Sequence, residues 1–346
     1  MKIDNFTIDE NSPVFIIAEL SANHGGSIEI AIESVKAAKR AGANCIKLQT
    51  FTADTITLDS KNKDFKISQG TLWDGQYLHD LYKTTHLPWE WHEEIMEVAK
   101  QEGLICFSSP FDPTSVEFLE TLNVPAYKVA SFEITDIPLI ELIASKGKPV
   151  IISTGIAGEE DIELALDACK RMGNNDIALL KCTSSYPAPI EEANMSMVKD
   201  LAERYNVISG LSDHTMGSTV PVVATVMGAR IIEKHFILNR DIGGADASFS
   251  MDEKEFSSMV KAVREAEKAI GIVNYNLTEK QLKAREFSRS LYVAEDVKKG
   301  DLVTKSNLRS VRPGYGLHPK FLKDLFGKEF NKDIKKGERM NFNLIK

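Results

Sequence analysis

Four cysteines in 346 residues, Cys45, Cys106, Cys169 and Cys182, leave no CxxC spacing and no disulfide framework. They mostly sit in apolar strand-like runs, as buried thiols of a reducing compartment do. Basic arms are missing too: 42 Lys+Arg face 50 Asp+Glu, a net charge of −8, which argues against nonspecific nucleic-acid binding. No segment approaches the roughly 18 uninterrupted apolar residues of a membrane span. Met1 to Asp9 also lacks a basic region followed by an apolar stretch, so neither export nor membrane insertion is signalled and the expected location is the cytoplasm. What is present, 43% hydrophobic and 27% charged residues, describes a globular protein with one large domain of about 250 residues and a small one.

Short apolar runs alternate with helical patterns from Val14 to about Ile270. Strands are expected at Val14 to Leu20, Cys45 to Thr50, Leu104 to Ser109, Ala126 to Ser131, Pro149 to Thr154, Ile177 to Thr183, Val207 to Ser212 and Arg230 to Phe236. Amphipathic stretches fall between them, among them Ile28 to Ala41, Trp89 to Glu102, Glu159 to Met172, Met195 to Tyr205, Thr219 to Met227 and Asp252 to Ile270. Near-continuous apolar strands suit a parallel sheet covered on both faces. Eight repeats in about 250 residues point to an α/β fold, a (β/α)8 TIM barrel, although a doubly wound open sheet gives the same local alternation.

Phe51 to Gly75 is long and polar for a connection, either a lid or an ordered insertion. The pattern stops after Gly271; residues 272–284 read as a linker and 285–346 as a small, turn-rich, β-type domain, with extended runs at Ser290 to Val293, Leu302 to Val303 and Leu308 to Arg312. Lys283 to Lys346 holds 16 basic and 8 acidic residues against 26 and 42 in the rest of the chain. That asymmetry fits a basic module docking on an acidic body, or two independently solvated surfaces.

In a (β/α)8 barrel the chemistry collects at the C-terminal strand ends, and polar residues here fall at those ends. They include Glu19, Lys47, Ser109, Lys128, Ser131, Ser153, Lys181, Ser212 and Lys234. A lone Lys in an apolar strand snorkels outward or pairs with a carboxylate. Two of them, Lys47 and Lys128, together with several hydroxyls, suit the phosphate and carboxylate of a small anionic substrate. His214 and His235 end adjacent strands; alone each is an ordinary core histidine, but together they can hold one divalent cation and leave positions open for substrate oxygens. Two imidazoles favour a labile Mn2+- or Mg2+-like ion over structural zinc. Glu19, partly desolvated, is a candidate to hold a substrate hydroxyl or handle a proton, with a salt bridge to Lys47 or Lys128 as the competing role. His79, His86 and His92 are assigned to the surface or to local packing.

The segments Ile17-Ala18-Glu19 with Asn23-His24, Lys47-Leu48-Gln49-Thr50, Ser109-Pro110-Phe111, Tyr127-Lys128-Val129-Ala130-Ser131, Ser153-Thr154-Gly155, Gly210-Leu211-Ser212-Asp213-His214 and Glu233-Lys234-His235-Phe236 resemble the sialic acid synthase family in order and spacing. The likeness continues through Arg312-Pro313-Gly314 into a module similar to the antifreeze-like (SAF) domain of those enzymes. Leu72-Trp73-Asp74, Ala130-Ser131-Phe132-Glu133 and Cys182-Thr183-Ser184-Ser185-Tyr186-Pro187 resemble the pseudaminic acid branch. The N-acetylmannosamine-using branch has Asn where this chain has Ser184, a departure that bears on the sugar and not on the reaction.

The resemblance implies condensation of phosphoenolpyruvate with an open-chain 2-acetamido sugar, with release of phosphate. It implies a divalent cation (Mn2+ or Mg2+, possibly Co2+) on His214 and His235. Phosphoenolpyruvate would be held by Lys47, Ser109, Lys128, Ser131, Ser153, Ser184 and Ser212, and Glu19 would sit by the reacting carbons. The sugar would meet Asn23, Glu133, Tyr186 and Asp246, and a homodimer partner would lend Phe287 and Arg312 as its C-terminal domain caps the site. A barrel enzyme using a phosphorylated sugar would need a second Arg/Lys cluster, which the strand ends do not supply. A non-catalytic carbohydrate-binding protein would not need the full polar set.

Overall fold

The computed structural model describes residues 1–346 and divides them into two compact units, Met1–Gly271 and Ile272–Lys346. In the first, eight parallel strands close into a barrel: β1 Phe15–Glu19, β2 Cys45–Thr50, β3 Ile105–Pro110, β4 Tyr127–Val129, β5 Val150–Ser153, β6 Ile177–Cys182, β7 Ile208–Asp213 and β8 Ile231–His235. β8 pairs with both β7 and β1, which excludes an open doubly wound sheet. All of β1, β3 and β8 is buried, the two-sided burial that near-continuous apolar strands require.

Eight helices surround the barrel: α1 Ile28–Arg40, α2 His92–Gln101, α3 Pro113–Thr121, α4 Ile137–Ala144, α5 Glu159–Arg171, α6 Ser196–Tyr205, α7 Thr219–Val226 and α8 Glu253–Ile270. Their sequences explain their limits. The Ser27 side chain accepts the Ile30 N–H at the start of α1, Lys39 and Arg40 occupy its last turn, and Ala31, Ser34, Val35 and Ala38 form one buried stripe. Asp252 and Glu255 make a capping box for α8, which buries Phe256, Met259, Val260 and Val263 and stops at Gly271. A short hairpin, Lys2–Ile3 with Phe6–Thr7, adds Ile3 to the barrel core beside Phe15.

One strand expectation shifts, and the long connection takes one of its two expected forms. β4 is only Tyr127–Val129, because Ser131–Glu133 coils into a 3-10 turn; Ser131 and Glu133 therefore stand on a turn just beyond the strand. The Phe51–Gly75 connection is an ordered insertion, with a helix at Ala53–Ile56, a 3-10 turn at Lys63–Phe65 and an antiparallel bridge from Lys66 to Tyr77.

The second unit pairs β9 Ser290–Val293 with β10 Leu308–Val311 around a core that includes Leu291, Val293, Leu308, Phe330 and Met340. Leu302 makes one bridge, to Glu329, and belongs to no strand. The expected linker is partly helical: Thr278 caps a helix at Glu279–Ala284, and the residues between 272 and 287 are exposed. No helix of the chain is long and apolar enough to cross a membrane.

Candidate active site

Strand register sets the site. His235 of β8 lies beside Glu19 of β1, and Glu19 beside Lys47 of β2, so three polar groups from adjacent strands share one level of the barrel. Period-two alternation puts Glu233 on the same face as His235, and Ser212 on the same face as His214.

These residues form a buried charged floor. The Lys47 ammonium pairs with Glu19, donates to Ser109 Oγ at 3.2 Å and lies 3.6 Å from Glu233 Oε1. The Lys128 ammonium is 4.0 Å from the same Glu233 oxygen and donates to Ser153 Oγ at 2.6 Å and to the Val129 carbonyl at 3.0 Å. Ser212 Oγ donates to Glu233 at 3.3 Å. Burial opposes every one of these charges. For Lys47 the neighbouring Glu19 and Glu233 more than offset it and raise the pKa, whereas Lys128 is held below its ordinary value by burial, only partly countered by Glu233. Burial pushes Glu19 up to about 7 against the pull of Lys47, so this carboxyl exchanges its proton near neutrality. Glu233 stays below the usual carboxylate range, because Lys128 and Lys47 outweigh its burial.

Beside the floor, Ser131 Oγ accepts the Gly155 N–H at 3.0 Å. Gly155 faces the Ser184 and Ser131 hydroxyls so closely that a Cβ there would collide with both, and it would also press on the Cys182 thiol. The bare backbone leaves a hydroxyl-lined cradle next to two ammonium groups, the donor set that an anion bearing both phosphate and carboxylate requires.

The imidazoles of His214 and His235 stand with ring centroids 5.2 Å apart. His214 Nδ1 meets the Thr183 carbonyl at 2.9 Å, which fixes that nitrogen as the N–H and leaves Nε2 with its lone pair. His235 is driven well below its ordinary pKa, first of all by burial, and its Nδ1 is buried with no hydrogen-bond partner, 3.6 Å from Asp246. An orphaned neutral imidazole nitrogen next to a second imidazole and a carboxylate fits a divalent cation whose remaining positions are taken by water and substrate oxygens. No group of three or more His, Cys, Asp and Glu side chains gathers as a closed metal site.

Behind the imidazoles, on the opposite face of the sheet, lies a second ion pair. Asp213 and Lys234 are register partners, their side chains 1% exposed, with Lys234 Nζ 2.5 Å from Asp213 Oδ2 and also donating to the Thr215 carbonyl. Each immediately precedes one of the histidines. The pair thus clamps the two strand ends that carry them.

The sugar-side candidates divide. Tyr186 packs on His214 at 4.4 Å and on Phe249 at 5.2 Å, and Asp246 accepts from Ser21 Oγ at 2.5 Å, so both belong to the mouth. Glu133 is pushed up to about 7, mainly by burial, and one of its oxygens is buried without a partner. Asn23 is different: fully buried, it donates its amide hydrogens to the Phe236 carbonyl at 2.9 Å and Ser250 Oγ at 2.8 Å, which ties the β1 and β8 loops together. Its Oδ1 is buried without a partner. Phe287 and Arg312 belong to the second unit and are exposed there. Glu233, Gly155 and Cys182 complete the mouth although residue-by-residue reasoning gave them no role; for Glu233 the signal was its spacing of two from His235. His79 and His92 are interior packing residues, bonded to Asp54 and Thr50.

Residues 34–275 match the NeuB family and residues 288–338 the SAF domain. The chain is 51% identical over 340 residues to a pseudaminic acid synthase of Campylobacter jejuni, covering 98% of both chains. It is 47% identical over 324 residues to the pseudaminic acid synthase of Helicobacter pylori, covering 93% of this chain and 95% of that one. Among solved structures it superposes on an N-acetylneuraminic acid synthetase of Leptospira borgpetersenii, crystallised with citrate, with a TM-score of 0.73 at 30% identity over 83% of this chain and 95% of that one. The barrel and the module that follows it therefore agree with the comparisons: the chain belongs to the NeuB family and carries a C-terminal SAF domain.

Proposed function

We propose that this chain condenses phosphoenolpyruvate with open-chain 2,4-diacetamido-2,4,6-trideoxy-L-altrose, giving pseudaminic acid and phosphate. The observation that carries the proposal is the mouth itself, where two buried ammonium groups and a hydroxyl cradle adjoin a pair of imidazoles. The pseudaminic acid synthases at 47% and 51% identity over nearly the whole chain support the choice of sugar.

Lys47, Lys128 and the hydroxyls of Ser109, Ser131, Ser153, Ser184 and Ser212 would hold the carboxylate and phosphate of phosphoenolpyruvate. A divalent cation such as Mn2+, held by His214 and His235, would orient and polarise the sugar aldehyde. With both reactants fixed, C3 of phosphoenolpyruvate forms a bond to the aldehyde carbon while the carbonyl electrons go to its oxygen. Water adds to the cationic C2, and the tetrahedral centre then loses phosphate by cleavage of its C–O bond. Glu19, whose carboxyl titrates near neutrality, would take or give a proton beside the reacting carbons. Tyr186, Glu133 and Asp246 would contact the sugar, with Phe287 and Arg312 contributed by the partner of a homodimer.

The test is phosphate release by the full chain with phosphoenolpyruvate and Mn2+, comparing the altrose with N-acetylmannosamine. Turnover with the altrose alone is expected. Preference for N-acetylmannosamine would move the chain to the sialic or legionaminic acid branch with the same reaction, and silence with both would overturn the proposal.

A further inference from the structure

The turn that carries the chain out of β1 holds a residue with no task in the proposed reaction. Asn23 N–H donates to the Leu20 carbonyl at 3.0 Å and closes this turn, with Ser21 at its second position. Ser21 has a φ of 46°, in the left-handed region where a side chain is strained and glycine is the usual occupant. It is also buried. A strained residue of this kind persists where its surroundings fix it, and strain of this sort gathers at functional sites. Both polar groups of Ser21 meet carboxyls of the mouth.

The Ser21 N–H donates to Glu19 Oε1 at 2.9 Å. The hydroxyl donates to Asp246 Oδ2 at 2.5 Å, and that same oxygen stands 3.6 Å from His235 Nδ1. Glu19 and His235 are register partners on β1 and β8. Ser21 therefore closes a ring that runs from Glu19 through Ser21 and Asp246 to His235 and back across the strand pair to Glu19. The backbone of the loop after β8 is tied down separately. Ser250 Oγ donates to the Asp246 carbonyl at 2.6 Å and accepts from Asn23 Nδ2 at 2.8 Å. Among side chains only the Ser21 hydroxyl donates to the Asp246 carboxylate, so the loop keeps its place without that hydroxyl while the direction of the carboxylate rests on it.

We propose that Ser21 is a positioning residue for the condensation: it fixes the carboxyls of Glu19 and Asp246 relative to each other, and with them the sugar against the carbons it reacts with. The inference rests on the function proposed above, in which Glu19 handles a proton beside the reacting carbons and Asp246 contacts the sugar. An Asp246 carboxylate released from Ser21 still meets the sugar but no longer holds the aldehyde at one angle and distance, and the loss falls on the bond-forming step. The Ser21 hydroxyl makes no hydrogen bond to Lys47, Lys128 or the serines around them, so binding of phosphoenolpyruvate does not pass through it.

The backbone strain supplies the experiment. Ser21→Ala removes the hydroxyl and keeps the strain, whereas Ser21→Gly removes the hydroxyl and relieves it. Phosphate release with phosphoenolpyruvate and Mn2+ is measured for the full wild-type chain and both variants, on whichever of the altrose and N-acetylmannosamine the wild type uses, and a melting temperature is taken for each. Both variants should lose about 10- to 100-fold in kcat, with the KM for phosphoenolpyruvate held within about threefold. The glycine variant should nevertheless melt above the alanine variant, so that activity follows the hydroxyl while stability follows the backbone. A glycine variant with the wild-type kcat would overturn the inference and leave Ser21 a residue of the turn alone. An intact kcat with a raised KM for phosphoenolpyruvate would overturn it too, by moving the hydroxyl's effect to the other substrate. Silence of the wild-type chain with both sugars would overturn the proposed function and the positioning role together, an outcome distinct from an active chain that tolerates Ser21→Gly.

Discussion

Lys128 and Lys234 look alike in the sequence: each is a single lysine inside a buried parallel strand, near its C-terminal end. The structure gives them opposite tasks. Lys128 faces the barrel interior, donates to Ser153 Oγ and shares Glu233 with Lys47, so its charge is compensated from across the mouth. Lys234 faces outward, and its neighbour in register, Asp213, neutralises it at 2.5 Å behind the two histidines. A buried strand lysine thus faces the mouth or serves as a fastening according to parity alone. Its position relative to a residue of known facing, His235 for Lys234, decides which.

The sharpest way to break this contrast is to remove one partner on each face. Asp213→Ala leaves the Lys234 ammonium buried with only the Thr215 carbonyl and should cost about 3–5 kcal/mol of stability, read as a lowered urea midpoint. The loss should be largely restored in the double variant Asp213→Ala/Lys234→Met, which takes the stranded charge away. A double variant as unstable as the single one would show that the pair acts through packing and not through charge.

Lys128→Met makes the opposite prediction. With the ammonium gone, the floor loses one donor to an incoming anion, and kcat/KM for phosphoenolpyruvate should fall by about a hundredfold or more. The melting temperature should hold or rise, since a desolvated charge has been replaced by an apolar stem. Unchanged kinetics with a lower melting temperature would place Lys128 with Lys234, among the fastenings.

This contrast also explains how much of the site was legible in the sequence. The strand-borne groups were, because apolar runs fix the strands, strand ends fix the mouth and alternation fixes the face; Glu19, Lys47, Lys128, Ser153, Ser212, His214 and His235 follow from those three rules. The partners of Asn23 were not legible, because Phe236 and Ser250 lie more than two hundred positions away. Ser131 was placed on a strand because nothing local marks where β4 gives way to a 3-10 turn. The loops after β1 and β8 and the insertion after β2, which line one cavity, were not legible as a unit, since segments with no shared periodicity meet only in the folded barrel.

The loop-borne carboxyl Glu133 offers the finest test of the difference between the two kinds of residue. The strand-borne Glu233 is kept ionised by two ammonium groups, whereas Glu133, on its turn, is dominated by burial and titrates near 7. Its folded pKa lies above its ordinary value of 4.5, so the native state binds this proton more tightly than the unfolded chain does. The stability it contributes is fully present below about pH 4.5 and is lost as pH rises through about 7. Between pH 5 and pH 8 the wild-type chain should therefore lose more melting temperature than Glu133→Gln, by about 2–4 °C for each kcal/mol of linkage. Glu19, raised for the same dominant cause, remains in both proteins and cancels from the difference. Parallel melting curves across that range would mean that Glu133 reaches water in the folded state, and its place in the mouth would then be that of a solvated rim residue, free to turn toward an arriving hydroxyl.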